Sequence, residues 1–329
     1  MSPISRRAFL VALGATLARV SWAQPSADAF DGFPGTRVRF APVETGRAIL
    51  MADDDYVAAA SAFQRSAILQ SASPVSLDAF RRWNGDAVIA WPADQRDRWR
   101  AALESLASSF AALRIPLPPE VLLVATNGRE MAGAPYTRAN AIILPLGTKF
   151  PGFTDSRLLA HELWHLAARH APALATRLYA EIGFEPMPKL AFPQEWAAVR
   201  IANPDAPESL HGMRLPIEGR PVMVTPVLVA SRTTLAPGET FFNVLQVRLL
   251  EVEPTEDGLA SCAVMRKGEP AWHIVHGTHD YLPRLGGNTS YVIHPEETIA
   301  DNIALLATGT PPRNPELLAR IKSVLESMG

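Results

Sequence analysis

The sequence contains a single cysteine and no long uninterrupted hydrophobic segment, and 19 % of its residues are charged. Because Cys262 stands alone, the chain cannot form an internal disulfide or a cysteine-rich zinc site. Any bound metal would therefore need histidine and carboxylate ligands. The chain has 329 residues, of which 48 % are hydrophobic. This composition is typical of a globular protein with one large core or two smaller ones.

The sequence also lacks an excess of basic residues. It has 31 lysines and arginines against 33 acidic residues, which gives a formal net charge of −2. Residues 1–23 contain three arginines and no acid, so the chain without them has 28 basic residues and a net charge of −5. Nucleic acids and anionic membranes are bound by basic patches. Neither is therefore expected as a partner.

The first 23 residues differ from the rest of the chain. Ser5 and the pair Arg6-Arg7 precede Phe9-Leu10 and a mildly apolar run, which ends at Ser21-Trp22-Ala23, a small-x-small cleavage site. This pattern resembles the twin-arginine export signal of bacteria. The resemblance implies the twin-arginine export machinery as a partner and a periplasmic or secreted mature protein. The alternatives are a general secretory signal or an uncut anchor, although the apolar run is short for a membrane span and no stable insertion is expected after cleavage.

The most informative motif is His161-Glu162-x-x-His165, inside the apolar stretch Leu158–Ala168, which repeats at helical spacing. Residues four apart lie on one face of a helix, so both imidazoles can bind one Zn²⁺. Glu162 then lies beside the metal, where it can take a proton from a zinc-bound water. The alternative, an ordinary amphipathic helix, would leave two imidazoles and a carboxylate in hydrophobic surroundings without a partner.

A catalytic zinc usually has three protein ligands and one open position, so a third ligand is needed. His170 lies one residue out of register with the metzincin pattern, which would require glycine at position 168 and histidine at position 171, where alanines stand. Glu185 has the spacing of thermolysin-like enzymes, but its segment is not expected to be helical. Glu181, on the preceding helix, is a weaker candidate.

We favour Glu297 as the third ligand. Glu297 and Asp301 lie one helical turn apart, and this pair resembles the Glu-x-x-x-Asp helix of the gluzincins. In that family the glutamate binds zinc and the aspartate orients a metal-bound histidine. The preference for acids in a first helical turn explains Glu296 and Glu297 but not Ala300-Asp301-Asn302. The resemblance departs from better-known members in its gap, because 131 residues separate His165 from Glu297.

The order of long helix, strands, loop and His-Glu-x-x-His helix resembles that of the zincin metallopeptidases. It implies an α+β fold, a zincin-like metallopeptidase core with a β-rich insertion. In that family an edge strand beside the active helix aligns an extended peptide, and Asn140–Leu144 is the candidate, although a plain core strand fits equally well. The expected segments after the signal are a linker or loosely packed arm over 24–52, the core over 53–192, the insertion over 193–285 and helices completing the metal site over 286–329.

These observations predict an exported zinc-dependent metallopeptidase that hydrolyses peptide bonds in peptides or proteins. Zn²⁺ would be held by His161, His165 and Glu297, with Asp301 behind His161 and with Glu162 as general base. Tyr291 is the candidate donor to the oxyanion. The remaining alternatives are an inactive binding or scaffold protein of the cell envelope and a zinc hydrolase acting on a non-peptide amide.

The roles of two further groups of residues stay open in the sequence. Tyr281 and His294 compete with Tyr291 for the role of oxyanion donor. His273, His276 and His279 recur at three-residue spacing, as in a second metal site, but their segment looks like a loop. Loop histidines near the substrate cleft are therefore the alternative interpretation.

Overall fold

The computed structural model describes residues 29–148, 152–278 and 280–327. The export signal predicted over residues 1–23 and the side chain of His279 lie outside the described residues. The described chain contains both helices and β-sheets, and this mixed fold is compatible with the predicted α+β class. None of its helices combines the length and the apolarity needed to span a bilayer.

A mixed β-sheet forms the centre of the first half of the fold. Its spatial order is β1-β2-β3-β5-β4, where β2, β3 and β5 are parallel and the outer strands are antiparallel to their neighbours. Helices cover both faces, so the central strand β3 is a nearly continuous apolar run. The strands are β1 (Ala29–Phe33), β2 (Thr36–Phe40), β3 (Glu120–Thr126), β4 (Tyr136–Arg138) and β5 (Ala141–Pro145).

Two helical layers enclose this sheet. Successive residues of β3 point to opposite faces, so Leu122 and Val124 enter one core while Leu123 enters the other. The layer against Leu122 contains α1 (Val43–Leu50), α2 (Asp55–Ala59), α3 (Ala62–Ile68) and α4 (Leu77–Gly85). The layer against Leu123 contains α5 (Ala93–Ala112), α6 (Asp155–His170), α7 (Pro172–Ala180), α8 (Tyr281–Arg284), α9 (Pro295–Thr308) and α10 (Pro315–Glu326).

A second, antiparallel sheet lies mostly in the segment 193–285 that was predicted to be β-rich, although its strand β6 precedes that segment. Its spatial order is β10-β9-β8-β7-β6, and β13 also pairs with β9. Met213, Leu215 and Leu249 of this sheet are buried in the same core as α6 and α9, so the sheet packs directly against the helices. The strands are β6 (Phe184–Pro186), β7 (His211–Ile217), β8 (Arg220–Ala230), β9 (Leu245–Pro254), β10 (Ser261–Ala263), the ribbon β11 (Met265–Arg266) with β12 (Glu269–Pro270), and β13 (Trp272–Ile274).

Helices α6 and α9 pack side by side and join the two sequence motifs. Leu159 and Leu163 of α6 and Ile299 and Ile303 of α9 are fully buried in one core. Helix α9 is buried on nearly all sides, including the five polar side chains of Glu296, Glu297, Thr298, Asp301 and Asn302. Burying so many polar groups is unfavourable unless they have polar partners. Helix α6 supplies several of these partners.

The structure differs from the expectation for residues 24–52. The described part of this segment is not a linker or arm, because it forms β1, β2 and α1, and β2 pairs with the central strand β3. Pro34-Gly35 makes the turn between β1 and β2, with Gly35 in the left-handed region. Phe33, Val38 and Phe40 anchor the hairpin in the core. The strands are too short for their alternation to stand out among the prolines and glycines.

Candidate metal centre

Helix α6 sets the two histidines in place. The Thr154 side chain accepts a hydrogen bond from the Arg157 backbone N–H and caps the helix. From Leu158 to Ala168 every residue is buried, so the helix axis is held in the core on all sides. The rings of His161 and His165 project from one face, with centroids 4.7 Å apart and planes at 83°.

Helix α9 presents its carboxylates to these rings. Glu297 Oε2 lies 3.1 Å from His161 Nε2 and 3.5 Å from His165 Nε2. One ligand atom from each of the three side chains can be chosen so that all lie within 4.8 Å of one another. The structure therefore brings together the three ligands that the sequence proposed, across a gap of 131 residues.

The atoms of this cluster fit a divalent metal. In a tetrahedral zinc site with bonds of about 2.0–2.1 Å, ligand atoms are roughly 3.3–3.4 Å apart, and the two measured distances lie on either side of that value. His165 Nε2 is buried and has no hydrogen-bond partner among the described residues. A buried imidazole nitrogen without a partner is unfavourable. A cation held by His161, His165 and Glu297 would satisfy it.

Each imidazole is oriented by a carboxylate on its other nitrogen. His161 Nδ1 lies 3.0 Å from Asp301 Oδ1, and His165 Nδ1 lies 2.7 Å from Glu296 Oε1. These contacts place the protons on Nδ1 and leave both Nε2 atoms to face Glu297. The first contact is the one that the Glu-x-x-x-Asp resemblance implied.

Glu296 was missed because its position in the first turn of α9 has a sufficient explanation in helix capping. The signal that could have found it is chemical: two metal-binding imidazoles need two acceptors, and the motif supplied only Asp301. Both acceptors have their own donors. The Tyr179 hydroxyl donates to Glu296 Oε2, and the Thr289 hydroxyl donates to Asp301 Oδ2.

The electrostatics of the cluster follow from burial and from these contacts. Burial lowers the pKa of His161, but hydrogen bonds to Asp301 and Glu297 outweigh it and raise the pKa to about 10. Burial would raise the pKa of Glu297, but the charge of His165 and the contacts with both imidazoles hold it well below its ordinary value. Burial, reinforced by the nearby charge of Asp205, raises the pKa of Glu162 to about 8.

The loop between β6 and β7 adds residues to the site that the sequence interpretation did not include. Asn203 Nδ2 donates to Glu297 Oε1 at 2.5 Å. Asp205 lies close to Glu162 and His165, within 4.8 Å by one oxygen or nitrogen atom from each. Asp205 Oδ1 also accepts hydrogen bonds from the backbone N–H and the hydroxyl of Thr137, at 2.7 and 2.6 Å. Nothing in the local sequence marks this loop, because its partners lie on three distant elements.

The edge strand beside α6 is β4, not β5. The expectation for Asn140–Leu144 is therefore wrong, since β5 lies between β3 and β4. Strand β4 is only three residues long and too short to recognise by its pattern. The outward N–H of Thr137 on this edge is occupied by Asp205.

The cluster opens into a cleft of about 680 Å³. Tyr291 lines the cleft, and its ring centroid lies 6.2 Å from that of His161. The structure describes no hydrogen bond from the Tyr291 hydroxyl to any described residue, so this group can serve a substrate. Tyr281 is buried in the core, where its hydroxyl donates to the Val292 carbonyl. His294 caps α9, and burial lowers its pKa to about 4.

The other candidate ligands lie elsewhere. His170 is exposed at the end of α6. Glu185 forms an ion pair with Arg214, and Glu181 forms one with Arg320. In the histidine-rich segment, His273 belongs to β13 and contacts Glu251 at 2.7 Å, while His276 is exposed. The described part of this segment does not gather a second metal site.

Comparisons with known proteins found no match: no protein-family model, no curated protein and no solved structure is significantly similar to the chain. The case for a function therefore rests on the site itself. The site consists of two buried imidazoles, three buried carboxylates on α9, a glutamate beside them and an open cleft.

Replacing Asp205 by alanine should expose the Thr137 amide to exchange. The carboxylate is the acceptor of this amide, so hydrogen exchange at Thr137 should rise by at least about 10-fold. Asp205→Asn, which keeps an acceptor oxygen, should show a much smaller rise. Residue-resolved hydrogen exchange by NMR measures both, with the Leu123 amide of the central strand as an internal reference. Unchanged exchange at Thr137 in Asp205→Ala would show that the loop does not cover the edge strand.

Proposed function

We propose that the protein is a zinc-dependent metallopeptidase of the zincin type, similar to the gluzincins. The observation that carries the proposal is the convergence of His161, His165 and Glu297, whose ligand atoms lie within 4.8 Å of one another, with His165 Nε2 buried and lacking a hydrogen-bond partner among the described residues. The order of elements supports it, because a mixed sheet with an antiparallel edge strand lies beside the helix that carries both histidines. The cleft in front of this cluster has room for a peptide segment.

His161, His165 and Glu297 would hold the zinc. When bound, Zn²⁺ supplies Lewis acidity, which lowers the pKa of a water molecule to about 7 and polarises a carbonyl group. Asp301 and Glu296 keep the Nδ1 protons and prevent the imidazoles from rotating. Asn203 holds the second oxygen of Glu297, so that Oε2 alone faces the histidines.

Glu162 is placed for proton transfer. Its side chain is buried and lines the cleft, and Oε2 has no hydrogen-bond partner among the described residues. Oε2 would take a proton from the attacking water and deliver it to the leaving amine. A base with a pKa near the working pH is well suited to both transfers. Tyr291, whose ring lies near that of His161 in the cleft, would donate its hydroxyl proton in a hydrogen bond to the oxyanion.

A second candidate function is a binding or scaffold protein of the envelope without turnover. The position of Asp205 favours it, because this carboxylate lies beside Glu162 and occupies the Thr137 N–H that an extended substrate would use. A third candidate keeps the metal and hydrolyses a non-peptide amide, since the carbonyl chemistry is the same. Hydrolysis of a peptide library separates these candidates.

The purified protein should bind one zinc per chain. Glu297→Ala removes a ligand and Asp301→Ala removes the acceptor behind His161, so the second change should weaken zinc affinity by roughly 10- to 100-fold and the first by more. Glu185→Ala is the matched control and should leave the affinity unchanged. Elemental analysis gives the stoichiometry, and competition with a chelator gives the affinity. Equal affinities in all four proteins would contradict the assigned ligands.

Replacing Glu162 by glutamine should separate metal binding from turnover. The amide cannot accept the proton, so peptide hydrolysis should fall by about 10²- to 10⁴-fold while the zinc content stays at one per chain. Cleavage of a broad peptide library, followed by mass spectrometry, measures the activity. A chelator should abolish wild-type cleavage and added zinc should restore it. Undiminished cleavage by the Glu162→Gln protein would remove this residue from the mechanism.

We also propose that the protein is exported through the twin-arginine pathway and acts in the periplasm or outside the cell. Replacing both Arg6 and Arg7 by lysine should then retain the precursor in the cytoplasm, since both arginines belong to the signal. Cell fractionation and immunoblotting follow the precursor and the mature chain. Normal export of the double variant would assign the protein to another route.

A further inference from the structure

The cleft contains two arginines whose charges have no acidic partner. Arg157 and Arg313 both line it, together with the cluster residues His161 and Glu297. Neither guanidinium lies within 4.0 Å of a carboxylate oxygen in the described chain, whereas many other arginines of the protein do, such as Arg98 with Asp155. Unpaired cations in a concave site are a common feature of anion recognition.

Arg157 is held in place but keeps free donors. It lies on α6, four residues before His161, and its guanidinium stacks over the Phe153 ring at 4.5 Å. Its Nη1 makes one long hydrogen bond, 3.3 Å, to the Gly152 carbonyl. Its Nε is buried and has no hydrogen-bond partner among the described residues. A buried donor without a partner is unfavourable, so the geometry leaves a place for an acceptor here.

Asp301, which also lines the cleft, does not neutralise Arg157. Burial would raise the pKa of Asp301, but its hydrogen bond with His161 and weaker contributions, among them the charge of Arg157, lower it. However, Asp301 Oδ1 faces His161 Nδ1 and Oδ2 accepts from the Thr289 hydroxyl. Both oxygens are therefore engaged with the metal-site residues and not with the guanidinium.

Arg313 lies on a wall of the cleft with a fixed backbone. The next residue, Asn314, caps α10 and exchanges two hydrogen bonds with the Asn288 side chain. Asn288 in turn donates to Asn302 of α9, so this wall is tied to the helix that carries Glu297. The Arg313 side chain is exposed and makes no hydrogen bond or ion pair with any residue that the structure describes.

We infer that Arg157 and Arg313 bind a carboxylate of the substrate, so that the enzyme selects peptides with a carboxylate close to the cleaved bond. A guanidinium presents two parallel N–H donors that match the two oxygens of a carboxylate. Four helical residues rise by about 6 Å, which is about two residues of an extended peptide at ~3.3 Å each. The carboxylate therefore belongs to a residue within about two positions of the bond, as a free C-terminus or as an aspartate or glutamate side chain.

This inference rests on the proposed peptidase function, and binding tests it independently of turnover. The Glu162→Gln protein, with and without zinc, is titrated with four peptide pools that carry either glutamate or glutamine at a fixed position and either a free or an amidated C-terminus, with aspartate and glutamate excluded from the randomised positions. Pools with a carboxylate should bind about 10- to 100-fold tighter than the pool with neither. The two single-carboxylate pools identify the source, since only the one that supplies the recognised group should show the gain.

Variants then assign the preference to the two arginines. In the same background, Arg157→Gln should remove most of the preference for carboxylate-bearing peptides. Arg157→Lys should retain part of this preference, because lysine keeps the charge but lacks the two parallel N–H donors of the guanidinium. Arg313→Gln should have a smaller effect, since this side chain is exposed. Arg320→Gln, whose arginine pairs with Glu181 outside the cleft, is the matched control and should change nothing.

Two outcomes would overturn the inference. One is equal binding of all four pools, including no binding of any pool, to the protein that keeps both arginines. The other is a carboxylate preference that survives the combined Arg157→Gln and Arg313→Gln substitution. A preference that disappears in these variants while peptide hydrolysis is absent from the wild type would support the carboxylate site and contradict the peptidase.

Discussion

The contact between α6 and α9 is the interaction on which the rest of the structure depends. Two imidazoles and three carboxylates meet there inside a hydrophobic core, where unpaired polar groups are strongly unfavourable. Each nitrogen and oxygen must therefore face a specific partner. This requirement fixes how each helix is rotated about its axis and how far it is shifted along that axis relative to the other. The apolar residues on the same helices supply the packing, and the polar residues determine the register. A slip of α9 by one residue would leave several buried charges without partners.

The surrounding elements serve this contact. The mixed sheet packs against α6. The hydroxyls of Tyr179 on α7 and of Thr289 donate hydrogen bonds to Glu296 Oε2 and Asp301 Oδ2. The loop at Asn203 and Asp205 reaches the same cluster from the side of the second sheet. The β-rich segment is consequently part of the site and not a separate attachment. This segment lies between His165 and Glu297 in the sequence. It folds against α6 and α9, so the chain comes back to α6 after the long gap.

The sequence predicted the parts of the fold that depend on local pattern. The His161-Glu162-x-x-His165 helix and the pair Glu297 and Asp301 were readable because helical spacing places side chains on one face. The parts that depend on distant partners were not readable. Strand β4 is short, β1 and β2 are hidden among prolines and glycines, and Asn203 and Asp205 acquire their roles only from contacts with α6, α9 and β4. Glu296 lies between these cases, since its chemistry was predictable but its position had a simpler explanation.

The loop at Asn203 has a consequence for the order in which the molecule becomes complete. The three segments that build the cluster lie near residues 161, 203 and 297, and each contributes contacts to the other two. Contacts of such large sequence separation form late in folding, because the loops between them must close first. During synthesis, the histidines and the asparagine emerge long before the glutamate that both of them contact. A nascent chain therefore carries an unfinished cluster until Glu297 has been made.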